Sequence, residues 1–389
     1  MSEDQKKYLK ATLFIGACSF LSNILGLLKN TLFSAIYGAT SGEGLADCYL
    51  AAFKIPDIIY TLVVSGIVSI LLIPYFLSVL QKKSWDELNR ACSGFINLFF
   101  IIISGFIILA MIFMPFLVRN ILLPGWTDGT KIDLVISMSR IILIQALFFT
   151  LSSVLGSYLN AIEKFTAYSL AILSYNVGII LGITVFSGFM GIEGVAWGVV
   201  LGGFMHFTIQ LAGAIKNKFR FSFALPKFDR ELVGLTLNSL PRVFALSSNQ
   251  IVRFFFVNFA SFLATGSLLI FENVESIALI PYTLLAVSIS TTSFPVFIKY
   301  FNSGNFSELY KALFEKLRML LFFLLPVLIF ILVFREEVTG LLVGYGRYNT
   351  HDIGLTADAL FWFILGTPFF AMTLIIVKFY YAEGKTMIP

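Results

Sequence analysis

Residues 73–100, IPYFLSVLQKKSWDELNRACSGFINLFF, are similar to residues 294–321, FPVFIKYFNSGNFSELYKALFEKLRMLL, at a constant offset of 221 positions. The offset pairs identical residues, such as Glu87 with Glu308, and it continues without a gap to Lys164, which pairs with a second lysine. A single register held over so long an apolar stretch is hard to obtain by chance. The chain is therefore predicted to contain two copies of one unit.

The composition is that of an integral membrane protein. The 389 residues are 58% hydrophobic and 13% charged, and the mean hydropathy is +0.90, whereas charged residues make up about a quarter of soluble domains. An all-α polytopic membrane protein with about ten transmembrane helices is therefore predicted. Apolar runs long enough to cross about 30 Å of hydrocarbon lie at 11–37, 46–80, 91–117, 133–159, 167–189, 192–215, 232–263, 267–298, 312–334 and 353–380.

The repeat predicts how these helices are arranged. Because the offset keeps sidedness, the copies are parallel repeats, which would enclose a central cleft. The first copy has six helices, and its last two, 167–215, would map beyond Pro389, so the second lobe is expected to be incomplete. The predicted domains are an N-terminal six-helix lobe (1–219), a cytoplasmic linker (220–231) and a C-terminal lobe (232–389).

The orientation follows from the basic residues, because Lys and Arg near span ends are retained on the cytoplasmic side. Loops on one side hold 17 of them: Lys6, Lys7, Lys10, Lys82, Lys83, Arg90, Lys164, Lys216, Lys218, Arg220, Lys227, Arg230, Lys299, Lys311, Lys316, Arg318 and Lys385. Loops on the other side hold four: Arg119, Lys131, Arg335 and Arg347. A cytoplasmic N-terminus is predicted, and the net charge of +5 reflects topology rather than a nucleic-acid partner.

Several function classes are excluded by what the sequence lacks. Cys18, Cys48 and Cys92 are isolated, and His206 and His351 stand alone, so neither disulfides nor a metal site is predicted. There is no nucleotide-binding glycine motif and no loop long enough for a catalytic domain. The sequence therefore predicts a protein that is not an enzyme and needs no cofactor, with Na⁺, H⁺ or the membrane potential as the driving force for any transport.

Polar side chains inside the predicted spans are the candidate binding residues, because ionisable groups at bilayer depth usually face a protein interior or an aqueous cavity. They concentrate on the first two helices of each repeat, where the two halves should meet. The substrate-binding candidates are Asn23, Lys29, Asp47, Lys54, Asp57, Gln250, Arg253 and Glu275.

Two groups of these residues have competing interpretations. Asp47, Lys54 and Asp57 fall on one helical face, with Pro56 bending the helix, which is typical of the wall of a wet cleft; alternatively, Lys54 and Asp57 form a buried ion pair that only fixes packing. Arg242 and Arg253, eleven residues apart, suit a phosphate or pyrophosphate; alternatively, they extend to the lipid headgroups.

Two other patterns predict packing and membrane contact. Gly194, Gly198 and Gly202 form a small-residue helix face suited to close packing. The segment RFSFALPKFDREL (220–232) alternates basic and aromatic residues, as does a segment lying on the membrane surface.

Particular motifs resemble the MurJ (MviN) family of lipid II flippases, in the superfamily that also includes multidrug exporters. YGATSGEGLADCYLAAFKIPD (37–57) is similar to that family's second-helix motif, and Gly66 and Pro74 keep its spacing. FASFLATGS (259–267), SFPVFIKYFNSGN (293–305) and YAEGKTMIP (381–389) are similar to later family segments.

The resemblance implies a monomeric alternating-access flippase of the bacterial inner membrane, active in cell-wall synthesis and able to contact cell-wall enzymes. Its substrate would be a lipid-linked precursor with a pyrophosphate headgroup, bound in a cationic cavity. Positions of the family's cavity residues are matched by Lys29, Asp47 and Lys54, whereas Asn23, Tyr60, Ser65 and Ser276 replace expected charged residues. Three alternatives are a flippase for another polyprenyl-linked glycan, a multidrug-type cation-coupled exporter and an inactive membrane scaffold.

Overall fold

The computed structural model describes residues 3–61, 71–82, 84–226 and 250–385, with side chains from Leu13 onward. Every regular element within these residues is a helix, as predicted. The helices are α1 (Glu3–Tyr37), α2 (Leu45–Ala52), α3 (Lys54–Tyr60), α4 (Ile73–Lys82), α5 (Trp85–Leu122), α6 (Gly129–Ala161), α7 (Phe165–Met190), α8 (Ile192–Lys216), α9 (Gln250–Ala260), α10 (Ser267–Asn302), α11 (Phe306–Val333), α12 (Arg335–Val343) and α13 (Thr350–Ala382).

Eight of the described helices are long and apolar enough to cross a membrane: α1, α5, α6, α7, α8, α10, α11 and α13. Each matches one of the predicted spans, which confirms a multi-pass all-α membrane protein. The other two predicted spans, 46–80 and 232–263, include residues outside the described ranges. The count of about ten therefore stays a prediction.

The internal repeat is reproduced in the helix bounds. Shifting α6, Gly129–Ala161, by 221 positions gives 350–382, which are the bounds of α13. Shifting α5 gives 306–343, the stretch occupied by α11 and α12 together. Because both ends of the helices agree, the offset read from the sequence describes a structural repeat.

The residues that begin these helices also correspond. Ser84 accepts a hydrogen bond from the Glu87 amide at the start of α5, and Asn305, 221 positions later, accepts one from the Glu308 amide at the start of α11. Side-chain oxygens in this position satisfy amide groups that have no partner within the helix. The two copies therefore use one capping arrangement with different residues.

The described chain forms two compact units. Unit 1 comprises Met1–Phe33 and Glu43–Leu268, and unit 2 comprises Ser34–Gly42 and Leu269–Pro389. The last turn of α1 and the loop after it thus belong to unit 2. The predicted domain boundaries at 219 and 231 stay a prediction, since residues 227–231 lie outside the described ranges.

Glycines allow α7 and α8 of unit 1 to pack closely. A Cβ atom added to Gly178 would lie 2.3 Å from Gly202 Cα, and one added to Gly198 would lie 2.4 Å from Gly182 Cα. No side chain fits at such distances, so the predicted packing role of this glycine face is confirmed.

A polar stripe on α5 binds the end of the predicted N-terminal lobe and the start of the predicted linker. Asn89 Nδ2 donates to the Lys218 carbonyl at 3.1 Å, Ser93 Oγ accepts from the Ser222 amide at 3.1 Å, and Asn97 Nδ2 donates to the Ala224 carbonyl at 2.8 Å. We call residues 218–226 the linker strap. Its exposed apolar side chains alternate along the chain: Phe221, Phe223 and Leu225.

Candidate functional site

The second predicted span is interrupted beside its proline. α2 ends at Ala52 and α3 begins at Lys54, with Phe53 between them. Pro56 has no amide hydrogen to donate to the Ala52 carbonyl, which explains why the hydrogen-bond pattern breaks there. The predicted break next to Lys54 and Asp57 is therefore confirmed, and both of these side chains are half-buried.

Asp47 lies on α2 and is 3% exposed. Its Oδ2 accepts a hydrogen bond of 2.7 Å from the Gly266 amide, one residue before α10 begins. Gly44, at φ +81°, brings the preceding loop against Thr265, because a Cβ there would lie 2.7 Å from Thr265 Cγ2. Asp47 therefore anchors the turn that precedes α10, a contact that the sequence did not reveal.

This contact predicts different effects for two substitutions of Asp47. Asp47→Ala leaves the buried Gly266 amide without its acceptor, and we expect it to lower the free energy of unfolding by about 1–3 kcal/mol. Asp47→Asn keeps an oxygen acceptor and should lose less. Thermal unfolding of both purified variants in detergent measures the difference; equal stability of wild type and Asp47→Ala would contradict the anchoring role.

Unit 1 also contains a group of polar side chains contributed by four helices. The Tyr60 hydroxyl and Ser153 Oγ are 3.0 Å apart, and Gln145 Nε2 donates to the Tyr175 hydroxyl at 3.3 Å. Asp57 lies within electrostatic reach of both tyrosines. Polar groups at this depth are costly unless they have partners or a function.

The same region includes one of the two histidines. Ser152 Oγ and His206 Nδ1 are 2.7 Å apart, and the Phe149 ring packs edge-on against the imidazole with centroids 4.9 Å apart. We call Tyr60, Gln145, Ser152, Ser153, Tyr175 and His206 the unit 1 polar cluster. It places Asp57 beside hydrogen-bonding groups that an anionic or cationic ligand could use.

The sequence missed most of this cluster because its members are single polar residues in long apolar helices. Ser153 Oγ also donates to the Phe149 carbonyl at 2.8 Å, within α6. Because a bond within the helix satisfies the serine hydroxyl, a serine can occur in an apolar helix without a partner elsewhere. The contact of Ser153 with Tyr60 on another helix could therefore not be inferred from spacing. His206 was interpreted only as an isolated residue.

The remaining predicted site residues lie on three helices. Lys29 is half-buried and Asn23 is exposed on α1, whereas Gln250 and Arg253 are half-buried at the start of α9. Glu275 is half-buried on α10 in unit 2. Unit 1 thus contains seven of the eight candidates. Arg242, Ser65 and Gly66 lie outside the described residues.

A second buried carboxylate anchors the loop after α1 within unit 2. Asp352, 0% exposed, accepts hydrogen bonds of 3.1 Å from the amides of Ala39 and Thr40 and one of 2.5 Å from Thr40 Oγ1. The Ala35 carbonyl accepts from the Arg347 amide at 2.8 Å. We call this set of contacts the Asp352 anchor.

The side chains around the Asp352 anchor are also hydrogen-bonded. Asn273 Nδ2 donates to Ser34 Oγ at 3.1 Å, and the hydroxyls of Tyr348 and Thr356 contact each other. Burial raises the pKa of the Tyr348 hydroxyl above its ordinary value, so this phenol stays neutral. The polar groups therefore hold the loop without adding another charge.

The described residues offer no obvious metal site. No group of three or more His, Cys, Asp or Glu side chains within them could hold an ion. Cys18, Cys48 and Cys92 are buried free thiols.

Comparison with known proteins identifies the family to which this chain is similar. The family model described as Lipid II flippase MurJ matches residues 33–389. A probable lipid II flippase MurJ of Buchnera aphidicola is 28% identical over 98% of this chain and 74% of its own length. The corresponding protein of Borreliella burgdorferi is 26% identical, with the same two coverages.

Solved structures show the same fold. A lipid II flippase MurJ in an inward closed conformation matches with a TM-score of 0.79 and 25% identity, over 96% of this chain and 77% of its own. An inward-facing multidrug resistance MATE transporter matches with a TM-score of 0.71, over 94% of this chain and 82% of its own. At 15% identity, this second likeness concerns the fold alone.

Proposed function

The chain belongs to the lipid II flippase MurJ family, and from this membership we propose that it moves a polyprenyl-pyrophosphate-linked peptidoglycan precursor from the inner to the outer leaflet. The family match over residues 33–389 is the observation that carries the proposal. A role in peptidoglycan synthesis follows from the family. The eight apolar spans supply the multi-pass membrane protein that such transport requires.

The proposed substrate contacts are the cations inside the spans. Lys29, Lys54 and Arg253 are half-buried, and each offers N–H donors to phosphate oxygens. Keeping a charge at this depth costs at least a few kcal/mol, which favours a functional use. Asp57 and the unit 1 polar cluster would contact the uncharged parts of the headgroup.

The mechanism belongs to the same proposal. Alternating access driven by an ion gradient or the membrane potential fits a sequence without a nucleotide-binding motif. The excess of Lys and Arg in alternate loops supports a cytoplasmic N-terminus in the inner membrane. We further propose that the chain acts as a monomer that can contact cell-wall enzymes.

Transport by the purified chain tests the substrate. Proteoliposomes would be loaded with fluorescent lipid II or with an undecaprenyl-linked glycan that has no peptide, and the labelled lipid reaching the opposite leaflet would be measured. We expect transport of lipid II at least ten times faster than transport of the glycan. Faster transport of the glycan would indicate the other polyprenyl-linked substrate, and export of an organic cation alone would indicate the multidrug-type function.

A further inference from the structure

We propose that a pocket at one end of unit 1 binds the phosphate headgroup of an acidic glycerophospholipid. The pocket has a volume of about 500 Å³ and lies where α4, α6 and α8 end and α5 begins. This inference does not depend on which lipid is transported, because it concerns a separate site with its own residues.

The charge of the pocket suits an anion. Lys164, Lys216 and Lys218 line it, and the acidic residue in the lining is Glu163, so the lining contains three ammonium groups and one carboxylate. Asn217 adds an amide to the same wall. A phosphodiester has one negative charge and several acceptor oxygens, and basic pockets at span ends commonly bind such headgroups.

The depth of the pocket points to a lipid. α5, α6 and α8 can each cross the membrane, so the ends that form the pocket lie near the level of the headgroups. Trp85, 44% exposed, lines the pocket at the start of α5, and tryptophan is enriched at this level. Leu77, Leu80 and Ile162 provide an apolar wall for the glycerol and upper acyl chain.

The backbone of Lys218 holds its side chain at the end of α8, in the lining of the pocket. Lys218 has φ +69°, a conformation that glycine adopts freely and lysine rarely does. The Asn89 side chain binds its carbonyl, and the buried Phe219 packs against Tyr158 with ring centroids 5.4 Å apart. The backbone at Lys218 terminates α8, because its amide donates to the Ile215 carbonyl and the Phe219 amide donates to the Ala214 carbonyl. These contacts hold the lysine beside Lys216 in the lining of the pocket.

The linker strap supplies a second apolar contact for the lipid. Phe223 is 95% exposed, and its ring contacts that of Phe221, with centroids 5.2 Å apart. The strap begins at Lys218, a pocket residue. Exposed aromatic side chains that follow a pocket lysine by three and five residues would lie among lipid chains while the lysines bind the phosphate.

Native mass spectrometry of the full chain tests the proposal with phosphatidylglycerol, phosphatidylcholine and glycerol 3-phosphate as probes. Each lysine should contribute about five-fold to phosphatidylglycerol affinity. The variant with Lys164→Ala, Lys216→Ala and Lys218→Ala should therefore bind it roughly a hundred-fold more weakly. The matched control, Lys299→Ala with Lys311→Ala and Lys316→Ala in unit 2, should bind like wild type.

A single substitution separates binding from folding. Lys218→Gly removes the charge at a position whose backbone favours glycine, so it should weaken phosphatidylglycerol binding about five-fold without lowering the thermal unfolding temperature. Equal binding by the pocket and control variants would overturn the proposal. Equal affinity for phosphatidylcholine would also overturn it, as would displacement of bound phosphatidylglycerol by glycerol 3-phosphate. A pocket variant that loses only its binding of lipid II would overturn it as well.

Discussion

Replacing Asp352 by alanine is expected to lower the free energy of unfolding by about 3 kcal/mol or more. The substitution leaves the amides of Ala39 and Thr40 and the Thr40 hydroxyl without their acceptor. Each buried donor without a partner costs about 1–3 kcal/mol, and more when the lost acceptor is charged. Thermal unfolding of the purified protein in detergent would show the loss.

The matched control for this experiment is Asp358→Ala on the same helix. Asp358 lies 3.9 Å from Arg335, and its side chain is 76% exposed. Pairs this exposed contribute at most about 1 kcal/mol, so the control should unfold close to the wild-type temperature. Similar stability of the two variants would show that the Asp352 anchor does not hold the loop.

The second large effect is expected from Lys29→Ala and Lys54→Ala, each of which should reduce lipid II transport about a hundred-fold. Removing a fixed cation from a buried phosphate contact typically costs 2–5 kcal/mol, and about 2.7 kcal/mol corresponds to a hundred-fold. Rescue of flippase-depleted cells and transport in proteoliposomes both measure this loss. Arginine at either position should restore part of the activity, because it keeps the charge.

Two sets of control variants are needed to interpret this experiment. Lys299→Ala removes an exposed lysine of unit 2 and should transport normally. Asp47→Asn and Glu275→Gln remove carboxylates instead of cations. If these two variants lose transport while both lysine variants rescue growth, the cation-binding function of a multidrug-type exporter is favoured over the binding of a pyrophosphate.

The repeat could be predicted because the same local interactions occur in both copies of the unit. Ser84 and Asn305 differ in type, yet both supply an oxygen to the amide three residues later. Eight of the ten predicted apolar runs correspond to described helices that are long and apolar enough to cross a membrane. The helix break could be predicted from Pro56, since the missing amide hydrogen is a property of the residue itself.

The two carboxylate anchors could not be predicted because their partners are backbone amides far away in the chain. Asp47 binds the amide of a residue 219 positions later, and Asp352 binds amides 312 and 313 positions earlier. A backbone amide has no residue type, so no sequence pattern identifies it as a partner. The sequence predicted Asp47 in the wall of a cleft, but not its hydrogen bond with the Gly266 amide.

The Asp352 anchor has a consequence for the order of events during synthesis. Residues 39 and 40 leave the ribosome more than 300 residues before Asp352 does. At about 5–20 residues per second, this interval is roughly 15–60 seconds. During this interval the amides of the loop after α1 are bound to water. The Asp352 anchor can form, and unit 2 can be completed, only after the start of α13 has been translated.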